Sequence, residues 1–148
     1  MKEIYVTYYS KEKGKLELSY QEWYNFRIGS ITLHNLDGPA VIFVGEYLGT
    51  KKWYVEGKCH REDGPAVEQS DGTKAWYTNG KRHRLDGPAI EMPRNNIVDY
   101  YIDDMNFWSN EDFNKLIKEI DSLDPALGLI DPRWWVRDYW KKKLKGVI

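Results

Sequence analysis

The chain has 148 residues, which is enough for one domain to bury a core without disulfides or a metal. Its 22 basic and 23 acidic residues give a net charge of −1, so we expect no DNA partner. The single cysteine, Cys59, has no partner for an internal disulfide, and the N-terminus lacks the apolar block of a signal peptide, so we expect a cytoplasmic location.

Residues 1–29 predict an N-terminal hairpin followed by a degenerate repeat unit. Residues 4–9 and 16–20 alternate polar and apolar side chains on either side of a turn at 13–15, as the strands of a hairpin do. The dipeptide Trp23-Tyr24 recurs further along the chain. It is therefore interpreted as the remnant of an earlier unit.

Residues 30–108 contain a tandem repeat of about 23 residues. A segment that begins with histidine and ends in Asp-Gly-Pro-Ala occurs three times, at residues 34–40, 60–66 and 83–89. Aromatic pairs follow at the same period: Trp53-Tyr54, Trp76-Tyr77 and the degenerate Tyr100-Tyr101. The repeat predicts that one structural unit is copied along the chain.

The turn residues predict that each unit is a β-hairpin. Asn79-Gly80 and Asp71-Gly72 are dipeptides that favour tight hairpin turns. We therefore expect an antiparallel meander over residues 31–102, folded as a single curved sheet. Because adjacent strand residues point to opposite faces, Trp76 and Tyr77 should separate; we expect Trp76 on the packed face and Tyr77 on the more exposed one.

Residues 109–148 predict two C-terminal helices. Ser109 is suited to cap the first, and Asp131-Pro132 begins a second that extends to about residue 144. Trp134 falls on the polar side of this second helix, which is also locally basic. The expected fold is a single domain, 1–148, that is mainly β with C-terminal helices.

The pattern Trp-Tyr-x-Asn-Gly-Lys-x-His-Arg-x-Asp-Gly-Pro-Ala, at residues 76–89, resembles the MORN-like hairpin repeats, and more closely their variant in bacteriophage and giant-virus proteins. The resemblance covers residues 30–113 and implies a hairpin-repeat sheet that binds other molecules without catalytic residues. Two positions depart from the pattern: Asn35 stands in place of the arginine, and Asp104 in place of Gly80. These departures indicate degraded terminal units.

The repeated polar residues are predicted to have structural roles and not catalytic or metal-binding ones. The aspartates of the Asp-Gly-Pro turns occur once in each unit, whereas a catalytic site needs one copy. Successive histidines should lie about 10 Å apart, two strand spacings, which is too far for one zinc ion. We expect each imidazole to bond a turn carbonyl instead. We predict no enzyme, no catalytic residue, no metal and no cofactor.

A binding surface is the remaining prediction. Arg61 and Arg84 either pair with nearby acids such as Glu62 or Glu91, or form a cationic, aromatic strip with the tyrosines. The candidate binding residues are Tyr54, Tyr77, Tyr101, Arg61 and Arg84, with Trp134 of the last helix as a rival surface.

Several partners fit these residues. The leading hypothesis is a phage or viral accessory protein that binds and modulates or inhibits a host protein, in the host cytoplasm. The alternatives are capture of a small anionic, nucleotide-like ligand by arginine and tyrosine, and a membrane-surface adaptor role. Of these, membrane contact is the least expected, since basic, aromatic helices more often cap a core. A homo-oligomer remains open.

Overall fold

The computed structural model describes residues 5–25, 31–45, 49–107 and 109–121. These residues form thirteen β-strands and two α-helices. The strands are β1 Tyr5–Ser10, β2 Gly14–Ser19, β3 Val41–Val44, β4 Lys51–Lys52, β5 Tyr54–Val55, β6 Lys58–Cys59, β7 Val67–Glu68, β8 Lys74–Ala75, β9 Tyr77–Thr78, β10 Lys81–Arg82, β11 Ile90–Met92, β12 Ile97–Ile102 and β13 Met105–Phe107. The helices are α1 Tyr20–Asn25 and α2 Asn110–Asp121.

Nine strands form one antiparallel sheet, in the order β13-β12-β11-β8-β7-β4-β3-β1-β2. This order confirms the predicted mainly β fold and its meander, and the sheet does not close. No described residue between positions 40 and 78 is helical. Two hairpins, β5–β6 and β9–β10, form separate two-stranded ribbons beside the main sheet.

Trp53 and Trp76 each mark the point where the chain passes from the main sheet into a ribbon. Trp53 N–H donates to Ala66 O at 2.8 Å, and Trp53 O accepts from His60 N–H at 3.0 Å. Trp76 makes the same two bonds one unit later, to Ala89 and His83 at 2.8 and 3.0 Å. In the third unit β12 runs through the equivalent position without a break. The tryptophan backbone therefore joins the two sheets of each repeated unit.

The N-terminal hairpin is confirmed: β1 pairs with β2 on one side and with β3 on the other. The degenerate strand unit expected at Trp23-Tyr24 was wrong, because both residues lie in α1. The reason is a capping box. Ser19 N–H donates to the Glu22 carboxylate at 2.8 Å, and Glu22 N–H donates to Ser19 Oγ at 3.3 Å. Trp23 then packs on Tyr8, with ring centroids 5.5 Å apart.

The alanine that ends each Asp-Gly-Pro-Ala segment is completely buried. Ala40, Ala66 and Ala89 are each 0 % exposed. Their backbones connect strands, since Ala66 N–H donates to Ala75 O while its carbonyl accepts from Trp53. A larger side chain here would have to displace packed neighbours.

The ribbon turns confirm the hairpin predicted at Asn79-Gly80. Both central residues have positive φ, +51° and +81°, as a type I′ turn requires. Glu56-Gly57 repeats this geometry in the unit before, and Asp103-Asp104 repeats it in the unit after. Asp104 takes the place of glycine at φ +62°, and its carboxylate accepts from Arg82 N–H at 2.9 Å and from Arg82 Nε–H at 2.8 Å.

Helix α2 covers the end of the repeat array. Ser109 Oγ accepts from Asp112 N–H at 3.1 Å, which confirms the predicted cap. Phe113 and Leu116 are buried against Ile102 and Phe107. The Phe113 ring contacts Tyr100, with centroids 4.7 Å apart. The second predicted helix, with Trp134, lies outside the described residues.

We predict that Gly80→Ala, and Gly80→Val more strongly, will destabilise the protein by about 1–2 kcal/mol, because L side chains resist positive φ. The matched control is Gly38→Ala, since Gly38 has no left-handed φ and the nearest atom to an added Cβ is 3.7 Å away. Urea titration measures both variants. Equal losses at the two positions would show that turn strain is not the cause.

Candidate binding grooves

Two equivalent grooves lie between successive repeat units. Each is lined by the Asp-Gly-Pro segment of one unit and by the tryptophan, histidine and arginine of the next. The first groove, of about 790 Å³, is lined by residues 35–39 and 60–63 together with Trp53 and Val55. The second, of about 640 Å³, is lined by residues 61–65 and 83–86 together with Trp76 and Thr78.

An arginine covers the tryptophan in each groove. The Arg61 guanidinium carbon is 4.0 Å from the Trp53 ring centroid, within the range of a cation–π contact. Arg61 Nε–H donates to Asp63 Oδ1 at 2.9 Å, and Nη1–H donates to Pro65 O at 3.0 Å and to Glu68 at 3.3 Å. One guanidinium thus joins the tryptophan, the turn and a neighbouring strand.

Arg84 repeats this arrangement one unit later. It lies 3.9 Å from the Trp76 ring centroid and bonds Asp86, Pro88 O and Glu91 at 2.9, 3.0 and 3.0 Å. Of the two roles left open, the structure therefore shows pairing with acids. The predicted Glu91 pair is present, whereas Arg61 pairs with Asp63 and Glu68 and not with Glu62.

The glycine of the Asp-Gly-Pro turn makes room for this arginine. A Cβ at Gly64 would lie 3.1 Å from the Arg61 guanidinium carbon, and one at Gly87 would lie 3.0 Å from that of Arg84. Neither glycine has a positive φ, so a left-handed backbone is not the reason for glycine at this position. In the first unit Asn35 replaces the arginine, and its Nδ2–H donates to Pro39 O at 3.1 Å.

The groove rims are acidic and partly apolar. Asp63, Asp86 and Glu62 have 85 %, 86 % and 89 % of their side chains exposed. The hydrogen bond from Arg61 holds the pKa of the Asp63 carboxyl below its usual value, so this group stays ionised at neutral pH. Leu36, at the edge of the first groove, is 75 % exposed. The grooves therefore combine tryptophan and aliphatic surface with negative charge.

The tyrosines lie apart from the grooves. Tyr54, Tyr77 and Tyr101 are half-buried, and none of them lines either groove. Burial raises the pKa of Tyr54 and of Tyr77. Trp76 is half-buried as well, so it is less buried than expected.

The predicted strip of tyrosines with Arg61 and Arg84 is not assembled. Both guanidinium groups stack on tryptophan rings, because the Asp-Gly-Pro turn holds them on that side. Tyr101 is instead paired with Arg82, whose guanidinium carbon is 4.1 Å from the ring centroid. The repeat pattern did not point to Arg82, because the equivalent positions of the other units hold Cys59 and Leu33 and the arginine is not repeated. The rival residue Trp134 lies outside the described residues.

The histidines bond turn backbone, but to N–H groups and not to the carbonyls we expected. Nδ1 of His34, His60 and His83 accepts from the N–H of Glu56, Asn79 and Asp103 at 3.0, 3.0 and 3.2 Å. Each imidazole therefore caps the equivalent hairpin turn of the next unit. Within the described residues, no group of three or more histidine, cysteine or acidic side chains could hold a metal ion.

The Cys59 thiol lies between the units and is not set up for reaction. Burial raises its pKa to about 11, so it stays protonated at neutral pH. None of the described helices is long and apolar enough to cross a membrane.

Comparison with known proteins adds no relative: no family model, curated protein sequence or solved structure matches the chain.

We predict that His60→Ala will selectively expose the Asn79 amide, because that N–H loses its acceptor. Amide hydrogen exchange should show protection at Asn79 falling at least about tenfold, with a loss of about 1 kcal/mol in stability. The Gln69 amide, which donates to Thr73 O at 2.9 Å, serves as the internal control. A uniform loss of protection at both amides would contradict a local capping role.

We predict that Arg84→Lys will destabilise the protein by about 1–3 kcal/mol although the charge is kept, because an ammonium group cannot stack and bond in the same planar geometry. Thermal unfolding measures the change, with Arg94→Lys at an exposed position as the control. A loss no larger than that of the control would show that the guanidinium contacts contribute nothing to the fold.

Proposed function

We propose that this chain is a non-enzymatic, MORN-like hairpin-repeat protein that binds a segment of another protein through its two tryptophan grooves. The repetition of the groove supports this proposal more than any other observation. Units stacked in an array offer an extended surface on which one partner chain contacts several copies of the same site. A second groove, built from the same residue types, provides such a surface.

The chemistry of the grooves favours a partner segment with apolar and basic side chains. The apolar area comes from Trp53, Trp76, Val55 and the exposed Leu36, and tryptophan is enriched among binding hot spots. The exposed acids of the rim, which include Glu62 and Asp63, favour a cationic partner. The nucleotide-like alternative has less support, since each groove arginine already bonds two carboxylates.

The resemblance of residues 76–89 to repeats of bacteriophage and giant-virus proteins suggests the biological context and the class of partner. A phage or viral accessory protein of this kind would bind a host protein in the host cytoplasm and modulate or inhibit it. This part rests on the sequence pattern alone, whereas the proposed binding surface rests on the groove geometry.

A displayed library of random peptides tests the proposed binding surface. We expect the selected peptides to combine basic with aromatic or aliphatic residues. Glu62→Lys reverses a charge that lines both grooves, and we expect it to weaken their binding at least about tenfold, or 1.4 kcal/mol. Leu36→Ser should weaken binding at the first groove.

Two exposed positions outside the grooves provide matched controls: Glu111→Lys for the charge reversal and Val98→Ser for the loss of apolar area. Their affinities should be unchanged. Three of the four variants should keep their melting temperature, whereas Glu111→Lys, which loses a first-turn acid and its pair with Lys115, should have a slightly lower melting temperature and stay folded in the binding assay. Peptides that bind equally well to Glu62→Lys would overturn the proposed site. Loss of binding in Tyr77→Ala alone would assign the binding surface to the tyrosine row. Loss in Trp134→Ala alone would assign it to the C-terminal segment.

A further inference from the structure

Strand β2 ends the main sheet on one side, and no described strand pairs with its outer edge. The direction of its backbone groups follows from its neighbour β1. Tyr9 N–H donates to Ala40 O at 2.8 Å, and Tyr9 O accepts from His34 N–H at 3.1 Å, so Tyr9 faces away from β2. Because this direction alternates along an antiparallel strand, Val6 and Tyr8 face β2.

The outward-facing groups of β2 can now be assigned. Leu18 and Leu16 pair with Val6 and Tyr8, so their N–H and C=O groups point inward to β1. Those of Lys15 and Glu17 consequently point outward. Ser19 follows the same alternation, and its N–H is already bonded to the Glu22 carboxylate at 2.8 Å. Within the part of the chain that the structure describes, the stretch of backbone without a strand partner is therefore short and is centred on Leu16.

The side chains on this stretch are self-complementary. Lys15 and Glu17 lie on one face of the strand, with 57 % and 61 % of their side chains exposed and their charged atoms 3.8 Å apart. In an antiparallel pair of β2 strands centred on Leu16, Lys15 of one copy lies opposite Glu17 of the other. The outward backbone groups of these residues then meet as hydrogen-bonded pairs, with four bonds in all.

We propose that two copies of this chain associate through β2, forming one continuous antiparallel sheet about a twofold axis at Leu16. A twofold interface needs a surface that complements itself, and the Lys15 and Glu17 arrangement meets that condition. Next to β2, helix α1 presents Tyr20 and Tyr24, which are 44 % and 76 % exposed and lie one helical turn apart. This exposed aromatic area adjoins the strand edge and adds contact surface for the second copy.

The association is weak and depends on concentration, because four backbone bonds and two exposed ion pairs form a small interface. It leaves both grooves accessible, since no residue of β2 or α1 lines them. The proposal is therefore independent of the groove function, and each can fail without the other.

Sedimentation equilibrium of the full chain, from about 10 µM to about 1 mM, tests the proposal by mass action. We expect the wild type to shift from monomer to dimer across this range. Lys15→Glu and Glu17→Lys each place like charges opposite one another and should raise the dissociation constant at least about tenfold. The double variant restores opposite charges and should dimerise as the wild type does. Lys118→Glu, an exposed charge reversal on α2, is the control.

A second variant tests the backbone bonds. Glu17→Pro is compared with Glu17→Ala, because both variants lose the carboxylate and only the proline also loses an outward N–H that the chain does not use in its own ladder. Both monomers should fold, and Glu17→Pro should dimerise at least about tenfold more weakly than Glu17→Ala. Hydrogen exchange at the Lys15 and Glu17 amides should show protection that rises with protein concentration. A monomeric wild type, single charge variants that dimerise normally, or protection independent of concentration would each overturn the proposal; the last would show that the chain itself covers this edge.

Discussion

The repeat depends on one cation. In each complete unit a guanidinium group lies flat on a tryptophan ring and bonds the turn carbonyl and two carboxylates. These contacts fix the positions of the tryptophan, the Asp-Gly-Pro turn and the adjacent strand relative to one another. They also explain two residues that carry no chemistry of their own. The glycine leaves space for the guanidinium group, and the aspartate offsets its charge at the surface.

At the two ends of the array, other residues replace the arginine or the histidine of the repeat. In the first unit the Asn35 amide bonds Pro39 O and accepts from Asp37 N–H, which keeps the turn without a charge. At the other end Phe107, paired with Tyr100, stands where the histidine would be and packs against Phe113 of α2. In the other units the histidine at this position bonds the following turn, whereas Phe107 contacts the helix. The array can therefore end without leaving a turn uncapped.

Much of the fold could be predicted from the sequence because its signals are local. The Asn79-Gly80 turn, the N-terminal hairpin, the meander and the Ser109 cap each depend on residues close together in the chain. The interpretation of Trp23-Tyr24 as a repeat remnant was wrong, because a dipeptide match does not reveal the Ser19 and Glu22 capping box that makes the segment helical. The candidate site was harder to predict. Alternation along a strand places Trp76 and Tyr77 on opposite faces, but it does not show that the Arg84 guanidinium lies on the Trp76 ring.

The bonds from each histidine to the next turn span only 19 to 22 residues. Contacts of this kind close short loops, so a growing array adds chain length without adding contacts between distant parts of the sequence. The units from the first histidine onward can form one after another, each ordered by the imidazole of the unit before it. Lengthening such a protein by one unit of about 23 residues consequently costs little in folding speed, and an array of this design can change its number of units without a new folding problem.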